Sequence, residues 1–241
     1  MLDERRLSRV IEKMTTDCLL ITDPISIAYL CGKKIEPGER FLGLLIGKGI
    51  KPVLILNQLF RFSDEIGVKV EYYKDTDRIT TIISKFIDKN SSLGVDKIMP
   101  ARFLIPMMEE RIASKFKLGS YAVDHTRAVK DAREQELMRA ASHINDLAMA
   151  EFKKLIHEGV TEVEVASQML DIYLKLGASG YSFEPIVAFG KNAADPHHMP
   201  DDTVLQEGDT VLFDVGCVVN GYCSDMTRTF FYKKYPTAEQ V

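Results

Sequence analysis

The sequence predicts a two-domain protein: an α/β domain with mixed strands over residues 1–124, then a domain of long helices followed by strands over residues 125–241. Three observations predict it. The first half alternates between helical and strand periodicity in short segments. Near Asp124-His125 the pattern changes to long helices with explicit start signals. Further on, Val211-Leu-Phe-Asp214 and Tyr222-Cys-Ser-Asp225 flank Asn220-Gly221, the dipeptide best suited to a two-residue type I′ hairpin turn.

Each element has a local reason. The charged, amphipathic start predicts a helix over 2–14. Cys18-Leu-Leu-Ile-Thr22 is an apolar run of strand length, and Asp23-Pro24 opens a short helical turn through Ile25, Ala28, Tyr29 and Leu30. Residues 41–46 and 52–56 bracket a Lys48-Gly49 turn and read as a hairpin of buried strands. A strand at 68–72, a helix at 76–89, the strand Leu93-Gly-Val-Asp96, a helix at 100–116 behind Pro100 and a strand near Tyr121-Ala-Val123 complete the first domain. It contains no phosphate-cradling glycine loop and no nucleophile elbow.

In the second domain Asp131-Ala-Arg-Glu134 is a capping-box start, followed by Leu137, Ala141, Ile144, Ala148, Phe152 and Leu155 on one stripe. Thr161-Glu-Val-Glu164 repeats the signal, with Val165, Met169, Ile172, Tyr173 and Leu176 facing inward and Gly177 as the stop. Strand pattern returns at 183–189, then a polar loop through Asn192 and His198, a Glu207-Gly208-Asp209 turn, and the aspartate hairpin.

That hairpin carries the chemistry. Aspartate is depleted in strands, and a carboxylate withdrawn from water needs a cation or several donors, so two in one hairpin expected to be buried ask for a shared reason. With a regular turn, facing residues have numbers that sum to 441, which pairs Asp214 with Thr227 and Asp225 with Gly216. Both carboxylates then project from one face as diagonal neighbours, roughly 7–8 Å apart at the backbone. Gly216 leaves space above the sheet. The other face, Val211, Phe213, Val215, Cys217 and Val219 against Tyr222, Ser224, Met226, Arg228 and Phe230, is ready to pack. Cys217 and Cys223 fall on opposite faces, which argues against a zinc or disulfide pair. The plain alternative has Asp214 capping a loop and Asp225 in a salt bridge with Arg228 or another base; a shared metal accounts better for two carboxylates on one face.

Composition limits the remaining possibilities. A chain of 241 residues, 46% hydrophobic, suits a soluble globular protein. A net charge of −4 and a pI near 5.8 give no footprint for nucleic acid. No stretch approaches the roughly 18 apolar residues of a membrane span, and the charged N-terminus predicts no export signal. Cysteines at 18, 31, 217 and 223, without dense spacing, read as reduced thiols of a cytoplasmic protein. His197 and His198, in Asp195-Pro-His-His-Met-Pro200, are either idle surface residues or functional ones, and the residues alone leave both open. His143 and His157 read as surface or packing residues on helices, and His125 carries no signal.

Pro196-His197, Glu207-Gly208-Asp209, Phe213-Asp214-Val-Gly216 and Tyr222-Cys-Ser-Asp225-Met-Thr-Arg-Thr229 make residues 125–241 resemble the first half of the catalytic domain of the pita-bread metallopeptidases. This group includes methionine aminopeptidase, aminopeptidase P, prolidase and creatinase. The Ser-Asp-x-Thr-Arg-Thr run is most similar to the prolidase and aminopeptidase P branch. The Leu-Ile-Thr-Asp-Pro and Tyr-Leu-Cys-Gly segments of residues 1–124 resemble that branch's creatinase-type N-terminal domain.

The resemblance implies an α+β pita-bread fold for the second domain. It also implies hydrolysis of Xaa-Pro bonds in short peptides by a hydroxide generated at two divalent ions, typically manganese, cobalt or zinc, and a homodimer. The ions' five ligands follow the order Asp, Asp, His, Glu, Glu; Asp214 matches the first and Asp225 the second, which bridges both ions. His197 matches a substrate-contacting histidine rather than a ligand. Thr227, facing Asp214, is suited to donate to it. The other three ligands are expected downstream, and the sequence ends sixteen residues after Asp225. The resemblance therefore implies a C-terminally truncated chain that is inactive alone, and Thr237-Ala-Glu-Gln240 is expected to open a helix. Aminopeptidase P activity, a creatinase-like hydrolase and a non-catalytic peptide-binding relative are the alternatives.

Overall fold

A computed structural model describes residues 1–238. The expected helix start at Thr237-Ala-Glu-Gln240 runs into residues 239–241, outside the described residues. The chain divides into two compact units, Met1–Val129 and Lys130–Val241. The division falls beyond residue 124 because one helix continues through that point.

The first unit comprises α1 (Glu4–Lys13), β1 (Cys18–Ile21), α2 (Pro24–Cys31), β2 (Leu42–Gly47), β3 (Ile50–Asn57), β4 (Lys69–Tyr73), α3 (Ile79–Ile83), β5 (Ser92–Val95), α4 (Ala101–Glu109), β6 (Lys115–Leu118) and α5 (Ser120–Ala128). Its six strands form one sheet in the order β4-β3-β2-β1-β5-β6. The hairpin pairs and β1–β2 are antiparallel, whereas β1–β5, β5–β6 and β3–β4 are parallel, giving the mixed sheet expected. Alternate side chains feed two cores. Leu19, Ile21, Leu44, Ile46, Leu54 and Leu56 pack with α1, α2 and α5. Cys18, Leu20, Leu45, Val53 and Ile55 pack with α3 and α4. Burial on both faces explains why these strands read as unbroken apolar runs. Asp3 and Asp23 cap α1 and α2 by accepting from two backbone amides each.

Three expected elements differ. The helix at 76–89 is helical only over Ile79–Ile83, after which Lys85 and Phe86 continue in tighter turns, their amides donating to the carbonyls of Ile82 and Ile83. The helix at 100–116 stops at Glu109; Arg111 takes a left-handed φ of 51°, and the chain then pairs as edge strand β6 against β5. Lys115-Phe-Lys-Leu118 carries the two-residue alternation of that strand. Tyr121-Ala-Val123 lies in helix α5 instead of a strand, since Ala122, Val123 and Thr126 recur at helical spacing on its buried side.

The second unit comprises α6 (Ala132–Phe152), α7 (Glu162–Lys175), β7 (Gly180–Tyr181), β8 (Ile186–Phe189), β9 (Thr210–Val215), β10 (Cys217–Val219), β11 (Tyr222–Cys223) and β12 (Met226–Phe231). Both helices begin with the expected capping boxes, Asp131 with Glu134 and Thr161 with Glu164. The strands form two antiparallel sheets, β11-β10-β7 and β12-β9-β8. Ala141, Ala148, Phe152, Val165, Met169 and Tyr173 from the helices pack on Val187, Phe189, Val211, Phe213, Val215 and Cys217. Inside this core Tyr173 donates to Asn145 Oδ1 at 2.6 Å, and Asn145 Nδ2 donates to the Val215 carbonyl at 3.1 Å. The pair ties α6 and α7 to the strand that carries Asp214. No helix among the described residues is long and apolar enough to cross a membrane.

Candidate metal centre

The hairpin has the predicted geometry. Asn220 and Gly221 take φ values of 50° and 81°, as a type I′ turn requires. Val219 pairs Tyr222, Val218 pairs Cys223, Met226 pairs Val215 and Thr227 pairs Asp214, so both ladders keep the expected register on either side of a break at Gly216 and Asp225. Val211, Phe213, Val215 and Cys217 are fully buried on one face. Cys223, Asp225, Thr227 and Thr229 are exposed, and Asp214 is half-buried. The Cys217 thiol lies in the core beside Ser224 Oγ at 3.3 Å, away from Cys223. Burial pushes its pKa up.

Two expectations about this ribbon are corrected. The carboxylates are not withdrawn from water, because the core takes only the ribbon's other face. Nor is there open space above Gly216. A Cβ there would stand 2.1 Å from Ser182 Oγ, 2.2 Å from the Ser224 carbonyl oxygen and 2.8 Å from the Phe183 ring. Between β9 and β10 the ladder is interrupted, and Ser182 bridges the gap: its amide donates to Gly216 O at 3.0 Å and its hydroxyl to Ser224 O at 2.8 Å. Glycine is needed for that close approach, next to the residue that precedes Asp225.

Thr227 Oγ1 donates to Asp214 Oδ1 at 3.0 Å, so the residue facing Asp214 orients its carboxylate. Arg228 does not pair with Asp225. It stands opposite Phe213 on the other face and donates to the Thr227 carbonyl at 2.8 Å. Among the described residues no cationic side chain neutralises Asp214 or Asp225. Two unneutralised carboxylates on one face are hard oxygen donors, and they fit a divalent cation.

His197 and His198 behave differently. His197 is exposed, with its amide on Asp195 Oδ1 at 2.9 Å. His198 turns inward, and its Nε2 lies 2.6 Å from Glu162 Oε2. Glu162, at the start of α7, is fully buried, and its oxygens also accept from Phe189 N, Asn192 Nδ2 and Asp201 N. Glu162, His198 and Asp201 bring three ligand-type atoms within 4.8 Å of one another. Because the Glu162 oxygens already have four donors, the trio acts as a hydrogen-bonded clasp. The Thr203 hydroxyl and amide hold the Asp201 carboxyl below its usual pKa. The sequence does not reveal this clasp, because Glu162 is masked by the capping-box string and His198 by the adjacent His197.

The architecture and the ribbon define a creatinase-type domain joined to a metallopeptidase domain. Residues 5–134 match the Creatinase/Prolidase N-terminal domain and residues 136–241 match Metallopeptidase family M24, and the chain belongs to this family. It is 31% identical over 238 residues to an uncharacterized peptidase of Staphylococcus epidermidis, covering 95% of this chain and 65% of that protein. The chain thus spans about two thirds of the length of the curated relatives it matches. Among solved structures, it resembles the dipeptidase PepE of Mycobacterium ulcerans with a TM-score of 0.87 and 28% identity, covering 98% of this chain and 66% of that one. The prolidase of Pyrococcus horikoshii gives a TM-score of 0.84 at 25% identity, covering 98% and 67%.

Proposed function

We propose that the protein built on this chain hydrolyses Xaa-Pro dipeptides in a metal-dependent, prolidase-like reaction, with Asp214 and Asp225 as two of its metal ligands. The observation that carries this reading is a pair of carboxylates in a single hairpin without a cationic partner among the described residues, Asp214 half-buried in β9 and Asp225 exposed just before β12. The prolidase and dipeptidase named among the structural relatives support the substrate class. These 241 residues supply two of the five ligands that the family resemblance implies, so the proposal assigns activity to the protein that supplies all five.

The residues divide the work. Thr227 holds the Asp214 carboxylate in one orientation through its hydroxyl. Ser182 and Gly216 fix the backbone beside Asp225, so the second carboxylate leaves the sheet from a defined place. The exposed His197 ring is assigned to the substrate, where it would donate to the oxygen that gains charge as the carbonyl is attacked. A bound pair of divalent ions, manganese by preference, would supply an acidified water and a polarised scissile carbonyl. A dedicated site suits the substrate, because proline's amide nitrogen carries no hydrogen and its ring fixes the local backbone. Free cysteines, three of them buried, support a cytoplasmic location, and the homodimer follows from the family resemblance.

The test is manganese-dependent cleavage of an Xaa-Pro dipeptide by the protein that supplies all five ligands. Activity should disappear in Asp225→Asn, and retained activity in that variant would overturn the ligand assignment.

A further inference from the structure

Glu162 is placed where a carboxylate is costly, with no exposed surface at the first position of α7. What compensates is a set of donors drawn entirely from one segment. Phe189 N at 2.7 Å and Asn192 Nδ2 at 3.0 Å reach Oε1; His198 Nε2 at 2.6 Å and Asp201 N at 3.1 Å reach Oε2. The helix backbone adds to the attachment, since Glu162 N donates to Thr203 O at 3.3 Å and Val163 N to Asp201 O at 3.1 Å. The free amides at the start of α7 and the buried side chain thus hold the same loop.

The loop cannot leave the helix without stripping a buried carboxylate of its partners, and hydrogen bonds to an ionised acceptor are about twice as strong as neutral ones. His197 sits inside this attachment. On one side the Asp195 turn holds its amide, and on the other its neighbour His198 is pulled inward to Glu162. The His197 ring is left as the member of the pair that faces solvent.

We infer that Glu162, acting through His198, is the positioning residue that fixes where His197 presents its ring. The functional meaning of this inference rests on the proposed role of His197 toward substrate; the clasp itself does not.

Glu162→Gln tests the clasp with little change of size, because the amide replaces one acceptor oxygen with a donor that faces donors. Amide hydrogen exchange is read residue by residue across the protein. Exchange at His198 and Asp201 should quicken by roughly tenfold to a hundredfold, as expected for losing one or two buried charge-assisted bonds, while Val165 and Met169 in α7 stay protected. Unchanged exchange at His198 and Asp201 would overturn the inference.

Should Glu162→Gln fail to fold, His198→Leu removes one donor from the half-buried end of the clasp. It should loosen Asp195 to Asp201, and His198→Gln, which keeps an N–H donor, should restore protection; equal protection in both would overturn the inference. In the protein active on Xaa-Pro dipeptides, Glu162→Gln should lower kcat by roughly tenfold with little change in KM, the pattern of a misplaced group acting in the transition state. A loosened loop with unchanged kcat, in a protein that His197→Ala inactivates, would overturn the positioning role and leave the proposed function standing. Absence of Xaa-Pro cleavage by the unsubstituted protein would remove the proposed function and leave the exchange result to decide the clasp.

Discussion

The six-stranded sheet of the first unit and the aspartate ribbon of the second differ in how many apolar faces they have. Every residue of β1 and β2 is buried, and alternate side chains enter two separate cores. In β9 the burial alternates strictly, with Val211, Phe213 and Val215 inside and Leu212 and Asp214 only half-covered. A strand with two apolar faces can only be scaffold. A strand with one can anchor itself through its apolar positions and offer the intervening ones to chemistry, as β9 does with Asp214.

The comparison breaks most sharply at the carboxylates. Under the proposed ligand role, Asp225→Asn should reduce the metal-dependent activity by roughly a thousandfold or more. Its melting temperature without metal should stay unchanged, since Asp225 is exposed. Core-face positions should behave in reverse. Phe213→Ala removes a fully buried ring that packs edge-on against Phe152 at 6.3 Å and Phe230 at 5.6 Å, and should cost about 3–5 kcal/mol in denaturant unfolding. Thr229→Ala, on the open face, should stay within about 0.5 kcal/mol of the parent. Equal costs for Phe213→Ala and Thr229→Ala would mean that the ribbon has no distinct inner face.

Gly216 joins the two behaviours. Gly216→Ala sets a methyl group against Ser182 Oγ and the Ser224 carbonyl, and should cost about 1–3 kcal/mol through the shift that this overlap forces. The double variant with Ser182→Ala should recover part of that cost, leaving the contacts with the Ser224 backbone and the Phe183 ring. Full additivity of the two substitutions would show that Ser182 is not the obstacle.

Legibility followed the same division. The capping boxes and the hairpin register could be read because each rests on interactions between residues close in sequence, and the central strands of the mixed sheet because each is an unbroken apolar run. Asn220-Gly221 alone fixed which residues face one another, from Val219 with Tyr222 out to Asp214 with Thr227. Elements decided by distant partners were harder. Lys115-Phe-Lys-Leu118 became a strand because β5 offered it an edge, and Tyr121-Ala-Val123 became part of a helix because α1 covers its buried side. The Glu162 clasp was hidden for the same reason. Its donors come from residues 189 to 201, and nothing in the local string around Glu162 refers to them.

A smaller effect is expected at Thr227. Thr227→Val keeps the shape and removes the hydroxyl that donates to Asp214, which should weaken divalent-metal affinity by about tenfold in titration calorimetry while leaving stability unchanged. Unaltered affinity would reduce Thr227 to a bystander.

The smallest effect returns to the scaffold. The Arg40 guanidinium beside Asp75 holds that carboxyl below the usual range. The folded form therefore binds the proton less readily than the unfolded chain, whose aspartate pKa is about 3.9. Stability from this pair is fully present above that value and declines as pH falls through the lower folded pKa. Arg40→Gln should flatten the acid limb of the first unit's unfolding slightly and leave neutral stability almost unaltered, since the pair is exposed and water screens it. An acid limb that keeps its slope in Arg40→Gln would shift the source to Asp17, whose carboxylate accepts from the Ser92 amide and hydroxyl and is lowered chiefly by those two bonds.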